Sequence, residues 1–139
     1  MPEVKRTVEG GGDEESFDAH HQLQAALIDA YEAALLDGTG QGLAADTLGH
    51  LVDFTAAHFA EEERFMRRLA YPASEPHRLA HARLLGQIRA METEARASER
   101  EAALAAVPRL RAWLTEHVQG MDRDVFAWVR GEGRPAPGH

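Results

Sequence analysis

Residues 48–69 read LGHLVDFTAAHFAEEERFMRRL, and this stretch decides the fold class. Apolar residues recur in it every three or four positions, which is the spacing of one face of an α-helix. His58 and Glu62 fall on that same face. The sequence therefore predicts a long helix that points an imidazole and a carboxylate into the core. The residues that mark the face are Leu48, Leu51, Val52, Thr55, Phe59, Phe65, Met66 and Leu69.

Helix-forming residues dominate the rest of the chain as well. Glycine and proline divide it into four helical segments, at about 14–36, 43–69, 74–94 and 98–130. Pro108 lies inside the fourth segment, where it is expected either to kink the helix or to mark its start. Short connections favour antiparallel neighbours, so we predict an all-α, up-down-up-down antiparallel four-helix bundle. We expect the bundle to occupy residues 13–131, between flexible segments at 1–12 and 132–139.

Composition narrows the class of function. The chain has 139 residues, which suits one domain with its own core. Its formal net charge of −8 argues against nucleic acid or an anionic membrane as a partner. It contains no cysteine, which excludes thiolate metal sites and disulfides. Because no apolar run is long enough to span a membrane and the N-terminus lacks the apolar centre of a signal peptide, we expect a cytoplasmic protein.

Each of the four segments places at least one histidine on its apolar face. A single buried histidine is most often a satisfied structural residue. Five on converging faces, with a carboxylate, must satisfy one another or something between them, because an unpaired buried polar group costs about 1–3 kcal/mol. A metal ion is the economical partner, since imidazole and carboxylate are good ligands for iron, zinc and manganese. The five are His21, His58, His77, His81 and His117.

The fourth segment leaves its carboxylate undecided. Val107, Leu110, Leu114, His117 and Met121 form its predicted inward stripe. Asp122 follows His117 by five residues, which on an ideal α-helix turns it about 140° away. Asp124 returns to the face of His117, but two turns further on. Either Asp124 is the donor or the helix widens near Gly120, and spacing alone leaves both open.

Together these residues are similar to the hemerythrin signature. The resemblance runs from about Phe17 to Phe126, which is most of the chain. Its motifs are Phe17-Asp18-Ala19-His20-His21, His58-Phe59-x-x-Glu62-Glu63-x-x-Met66, Tyr71-Pro72, His77-x-x-x-His81 and Trp113-Leu114-x-x-His117-Val118-Gln119-Gly120-x-Asp122.

The resemblance implies two iron ions joined by an oxo or hydroxo bridge, with dioxygen bound at the iron that has only two histidines. It chooses Asp122 over Asp124 and so favours a widened helix near Gly120. By carry-over, one iron binds His77, His81 and His117, the other binds His21 and His58, and Glu62 and Asp122 bridge them. The residues that match pocket positions of the family are Phe59, Trp113, Leu114 and Val118.

The function implied is reversible dioxygen binding, as a carrier, store or delivery protein rather than an enzyme, with at most a side peroxidase activity. The alternative is a di-iron redox enzyme or sensor that acts on peroxide or nitric oxide. Ferritin-like oxidases and zinc hydrolases are disfavoured, because the Glu-x-x-His and His-Glu-x-x-His motifs are absent. The sequence leaves the protein partner and the oligomeric state open.

Two positions in the first segment have alternatives. The motif selects His21 as the ligand, whereas helical periodicity puts His20 on the stripe of Leu23 and Leu27. Gln24 takes the place of an aliphatic residue that usually closes the pocket in the family. It either reaches solvent at the edge of the bundle or faces the bound ligand with its N–H donors.

Four further polar residues are predicted to be solvated surface. Glu61 and Glu63 flank Glu62 on the outward side of the second segment. His50 lies off the main stripe of that segment, and His139 lies in the tail.

Overall fold

The computed structural model describes residues 14–37, 41–97 and 100–131. Within these residues all regular structure is helical. The predicted flexible segments 1–12 and 132–139 lie outside the described residues. The elements are α1 (Glu14–Asp37), α2 (Gln41–Arg68), α3 (Ser74–Ala97), α4 (Arg100–His117), a π-helical turn (Val118–Asp122) and α5 (Arg123–Val129).

The four predicted segments are confirmed within a few residues, with α4, the π turn and α5 forming the fourth. Helix α1 packs against α2 and α4, and α3 packs against the same two helices, which closes a ring of four. The predicted antiparallel four-helix bundle is confirmed. None of the described helices is both long enough and apolar enough to cross a membrane.

Pro108 lies within α4, which begins at Arg100. The proposal that this proline marks the start of the helix is therefore wrong. Its neighbours Val107 and Leu110 are fully buried, so the apolar stripe continues through the proline. Packing of this stripe offsets the backbone hydrogen bond that proline cannot donate.

A polar layer divides the core into two apolar clusters. In α2, for example, His58 and Glu62 lie between Leu51 of one cluster and Phe65 of the other. Complete burial of a large apolar side chain contributes about 1.5–3 kcal/mol, so both clusters hold the layer in place from either side. The first cluster includes Ile28, Leu48, Leu51, Ile88, Val107 and Leu110. The second includes Phe17, Phe65, Met66, Tyr71, Val125 and Phe126.

The turn between α2 and α3 fixes where α3 begins. The Tyr71 N–H donates to the Met66 carbonyl at 2.9 Å, and the Ala70 N–H donates to the Arg67 carbonyl at 3.1 Å. These two bonds form a Schellman motif, and the side chains of Met66 and Tyr71 both belong to the second apolar cluster. The motif places Ala70 at φ 55°, in the left-handed region that favours glycine.

We expect Ala70→Gly to raise the free energy of unfolding by about 1 kcal/mol, because glycine adopts the left-handed conformation without a Cβ clash. Urea denaturation of both proteins measures this. The matched control is Ala90→Gly at an exposed position within α3, which should lower the free energy of unfolding by about 1 kcal/mol. A loss of stability in both variants would contradict the account of the turn.

Candidate metal centre

Seven polar side chains converge in the layer between the apolar clusters. They come from all four helical segments, and the most exposed of them, His21, has a side-chain exposure of 12%. All seven were predicted as ligands from the sequence, and the fold brings all seven together. They are His21 of α1, His58 and Glu62 of α2, His77 and His81 of α3, His117 of α4 and Asp122 of the π turn.

The donor atoms form two overlapping groups, and within each group they lie within 4.8 Å of one another. Glu62 and Asp122 belong to both groups. Two carboxylates shared between sets of histidines suit a pair of adjacent cations, since each carboxylate has two oxygens to offer. One group consists of Glu62, His77, His81, His117 and Asp122, and the other of His21, His58, Glu62 and Asp122.

Asp122 divides its two oxygens between the groups. Its Oδ1 lies 3.0 Å from His77 Nε2 and 3.1 Å from His117 Nε2, whereas its Oδ2 lies 3.0 Å from His21 Nε2. Glu62 faces α3, with Oε1 3.0 Å from His81 Nε2. The carboxylate of Asp122 therefore lies between the histidines of the two groups.

The layer contains buried polar atoms that make no well-aligned hydrogen bond. Among the described residues there are seven such side-chain nitrogen or oxygen atoms, and all belong to this centre, although four of them lie in two pairs 3.0 Å apart. Each such atom costs about 1–3 kcal/mol. A cation between the carboxylates would accept lone pairs from most of them, so the donor set fits a metal site. The atoms are His21 Nδ1 and Nε2, His58 Nε2, Glu62 Oε1 and Oε2, His81 Nε2 and Asp122 Oδ2.

Burial and neighbouring charges shift the pKa values of these groups. Burial raises the pKa of Glu62 to about 7, and the charge of Asp122 contributes. Burial, with the charge of neighbouring imidazoles, lowers the pKa values of His58 and His81 to about 3. Burial alone would raise the pKa of Asp122, but hydrogen bonds from surrounding imidazoles outweigh it and hold this pKa well below its ordinary value. At neutral pH His58 and His81 are neutral, which is the form of imidazole that binds metals.

The π turn brings Asp122 into the layer. A regular α-helix would present Met121, four residues after His117, to the core. The extra residue of the turn presents Asp122 instead, which is 2% exposed. Met121 lies half-buried beside a groove between α3 and α4, so its predicted place on the inward stripe is wrong. The widening of the helix at Gly120 is present, and Asp124 belongs to neither group of donors.

A cavity of about 260 Å³ opens beside His21, between α1 and α4. Gln24, Leu114 and Val118 line it, as do Ala25 and Ile28. Leu114 and Ile28 also belong to the first apolar cluster, so part of the wall is continuous with the core.

The other two predicted pocket residues lie elsewhere. Phe59 is buried and stacks on the ring of His81, with 3.8 Å between the ring centroids. Trp113 lines the groove between α3 and α4, which also contains His117. Both residues thus contact the three-histidine side of the layer or lie beside it, rather than lining the cavity at His21.

The sequence matches the profile of the hemerythrin HHE cation binding domain over residues 13–129. The chain belongs to the hemerythrin family. It is 34% identical over 122 residues to a bacteriohemerythrin from Ralstonia nicotianae, in an alignment that covers 82% of this chain and 88% of that protein. It is 27% identical over 109 residues to a myohemerythrin from Sipunculus nudus, with coverages of 78% and 85%. At the level of the family, these matches support a di-iron, oxygen-binding protein.

Within this hemerythrin fold, Glu63 has a contact that the sequence analysis missed. Its Oε2 accepts a hydrogen bond from His81 Nδ1 at 2.8 Å, so its assignment to solvated surface was wrong. A carboxylate on Nδ1 holds the proton there and leaves Nε2 free to face the centre. No spacing within α2 indicates this pair, because His81 belongs to another helix. Glu61 and His50 are exposed, as predicted, and His139 lies outside the described residues.

His20 also contacts the centre from outside. Its Nδ1 lies 3.0 Å from Nδ1 of His58, on the side of that ring away from the donor group, and its ring packs against Phe54. His20 belongs to neither donor group, whereas His21 belongs to one. The two adjacent histidines therefore occupy different positions relative to the centre, one within it and one behind His58.

We expect His21→Ala to lose metal from the two-histidine side of the centre, because no other described side chain replaces its donor. His20→Ala should retain the metal with a lower affinity, since it removes only a contact behind His58. Metal analysis after equilibration with a competing chelator measures both, with His50→Ala as the exposed control. Loss of metal from His20→Ala but not from His21→Ala would contradict this assignment.

We expect Glu63→Gln to lower metal affinity about tenfold or more, because the amide keeps the shape of the side chain but not the charge that supports His81. Asp53→Asn, which changes an exposed carboxylate elsewhere in α2, is the matched control and should leave the affinity unchanged. Titration against a coloured chelator compares the variants. Equal affinities for Glu63→Gln and the unsubstituted protein would remove Glu63 from the account of the centre.

Proposed function

We propose that this chain binds dioxygen reversibly at two non-haem iron ions joined by an oxo or hydroxo bridge. The observation that carries the proposal is the inequality of the two donor groups. Three histidines lie on one side of the shared carboxylates and two on the other. A position left open on the two-histidine side is where a small ligand would bind, and the cavity opens beside His21, which belongs to that side.

In this proposal each residue of the layer has a defined task. His77, His81 and His117 would hold one iron, and His21 and His58 would hold the other. Glu62 and Asp122, which belong to both donor groups, would offer oxygens to both irons and compensate part of their charge in this buried layer. The bound ferrous pair would supply the two electrons that dioxygen takes up and returns.

The chain itself would keep the ligand position dry. Ile28 and Leu114 are buried and, with Val118, place aliphatic side chains along the cavity, whereas Arg111, Thr115 and Gln119 line its more exposed part. The aliphatic side chains would disfavour water beside the irons. Phe59, stacked on His81, would hold that ring in its plane. Trp113 would cover the groove beside His117, where the guanidinium of Arg109 lies 5.6 Å from its ring.

A second candidate is a di-iron redox enzyme or sensor that acts on peroxide or nitric oxide. One observation favours it, namely that the amide of Gln24 is buried and lines the cavity next to the aliphatic side chains of Ile28 and Leu114. A hydrogen-bond donor at this place suits ligands that carry negative charge.

Protein purified from iron-replete cells should contain two irons per chain, and exposure of the reduced form to air should give a coloured adduct that is reversed by removing dioxygen. Stopped-flow spectra with dioxygen, peroxide and nitric oxide distinguish the two candidates. Reversible binding of dioxygen supports the carrier, and rapid consumption of peroxide or nitric oxide supports the enzyme. A protein that holds one zinc ion per chain in place of iron would contradict both.

A further inference from the structure

We propose that Gln24 and Thr55 form a hydrogen-bonding pair that binds small anions at the two-histidine side of the centre. This inference rests on the proposed function, because it assigns a ligand preference to the same open position. It adds Thr55, which the sequence placed only on the apolar stripe of α2, and it gives Gln24 a fixed partner.

The positions of the pair follow from the antiparallel packing of α1 and α2. Gln24 lies three residues after His21 in α1, and Thr55 lies three residues before His58 in α2. Because the two helices run in opposite directions, both displacements point toward the same end of the bundle. The rings of His21 and His58 are 5.0 Å apart between centroids. The pair therefore spans α1 and α2 one helical turn from the two histidines.

The two side chains are buried and bonded to each other. Gln24 is 3% exposed and Thr55 is 0% exposed, and Gln24 Nε2 donates to Thr55 Oγ1 at 3.1 Å. The predicted alternative in which Gln24 reaches solvent at the edge of the bundle is thus wrong. An amide nitrogen carries two protons, and this bond uses one of them. Gln24 also lines the cavity beside His21, and in this proposal the second proton is the one that a ligand there would meet.

The other buried polar residues of the chain distinguish this pair from ordinary core packing. Seven polar or charged residues are buried in the described part of the chain. Five of them are donors of the centre, and the remaining two are Gln24 and Thr55. An apolar pair of the same shape would avoid the desolvation cost of an amide and a hydroxyl. The structure instead places both beside the side of the centre that has fewer histidines.

The chemistry of the pair favours one class of ligand. An N–H donor that is already anchored by Thr55 loses little freedom when it meets a ligand, and a hydrogen bond to a charged acceptor is about twice as strong as one between neutral groups. Small anions with a terminal lone pair therefore gain more from Gln24 than neutral diatomic molecules do. Azide is a suitable probe, since it is a small anion that binds oxidised iron.

The test measures azide affinity of the iron-loaded, oxidised protein by optical titration. Gln24→Met keeps a similar shape without the donor and should weaken azide binding about tenfold. Thr55→Val should weaken it less, because it removes the anchor and leaves the amide. Gln22→Leu, an exposed glutamine two residues earlier in α1, is the matched control and should leave azide affinity unchanged.

Iron content and melting temperature of each variant are measured beside the titration. If Gln24→Met does not load iron, Gln24→Leu takes its place in the same titration. Azide affinities that are equal in all variants would overturn the inference, even if stability changes, because a merely structural pair affects stability alone. Weaker azide binding in a protein that fails to hold dioxygen reversibly would uphold the pair and contradict the proposed function. Equal azide affinities of the variants and the unsubstituted protein, in a chain that binds dioxygen reversibly, would overturn the inference about the pair and support the proposed function.

Discussion

Burial of two carboxylates among five imidazoles is the constraint on which the rest of the structure depends. Glu62 and Asp122 are almost completely buried, and water does not compensate their charge. The apolar clusters on either side exclude solvent from the layer but provide no hydrogen bonds to it. Stability of the layer therefore comes from within it, by sharing protons between carboxylate and imidazole or by accepting cations in their place.

This constraint explains the contacts around the layer. Glu63 bonds to Nδ1 of His81 and Phe59 stacks on the face of its ring. These two contacts fix the ring with its Nε2 toward the centre. His58 is contacted at Nδ1 by His20 of α1, which has the same effect on a second imidazole of the layer. Support from outside orients the donors before any cation binds, which lowers the cost of assembling the site.

Periodicity and motif spacing predicted the four helical segments and the seven residues that meet between them. Periodicity succeeded for the ligands of α2, α3 and α4, because each of them lies on the apolar stripe of its own helix, which is a local property. It left His20 in competition with His21 and turned Asp122 away from the face of His117, and the resemblance to the family decided both positions. The contacts of Glu63 and Thr55 were not predicted, because their partners belong to other helices. The apolar stripe of one helix does not determine how that helix is rotated against its neighbours. For Gln24, the sequence posed the question of orientation and the packing of α1 against α2 answered it.

The π turn has a consequence for the whole end of the bundle. One additional residue within a turn shifts the phase of everything that follows by one position. Phe126, four residues after Asp122, reaches the second apolar cluster only because Asp122 has replaced Met121 at the inward place, since on a regular helix it would be turned about 140° from the face of Met121. The carboxylate and the aromatic packing beyond it are therefore set by the same backbone irregularity. If this turn returned to α-helical pitch without loss of a residue, the thioether of Met121 would replace the carboxylate of Asp122 at the centre. The same change would move the ring of Phe126 out of the second apolar cluster.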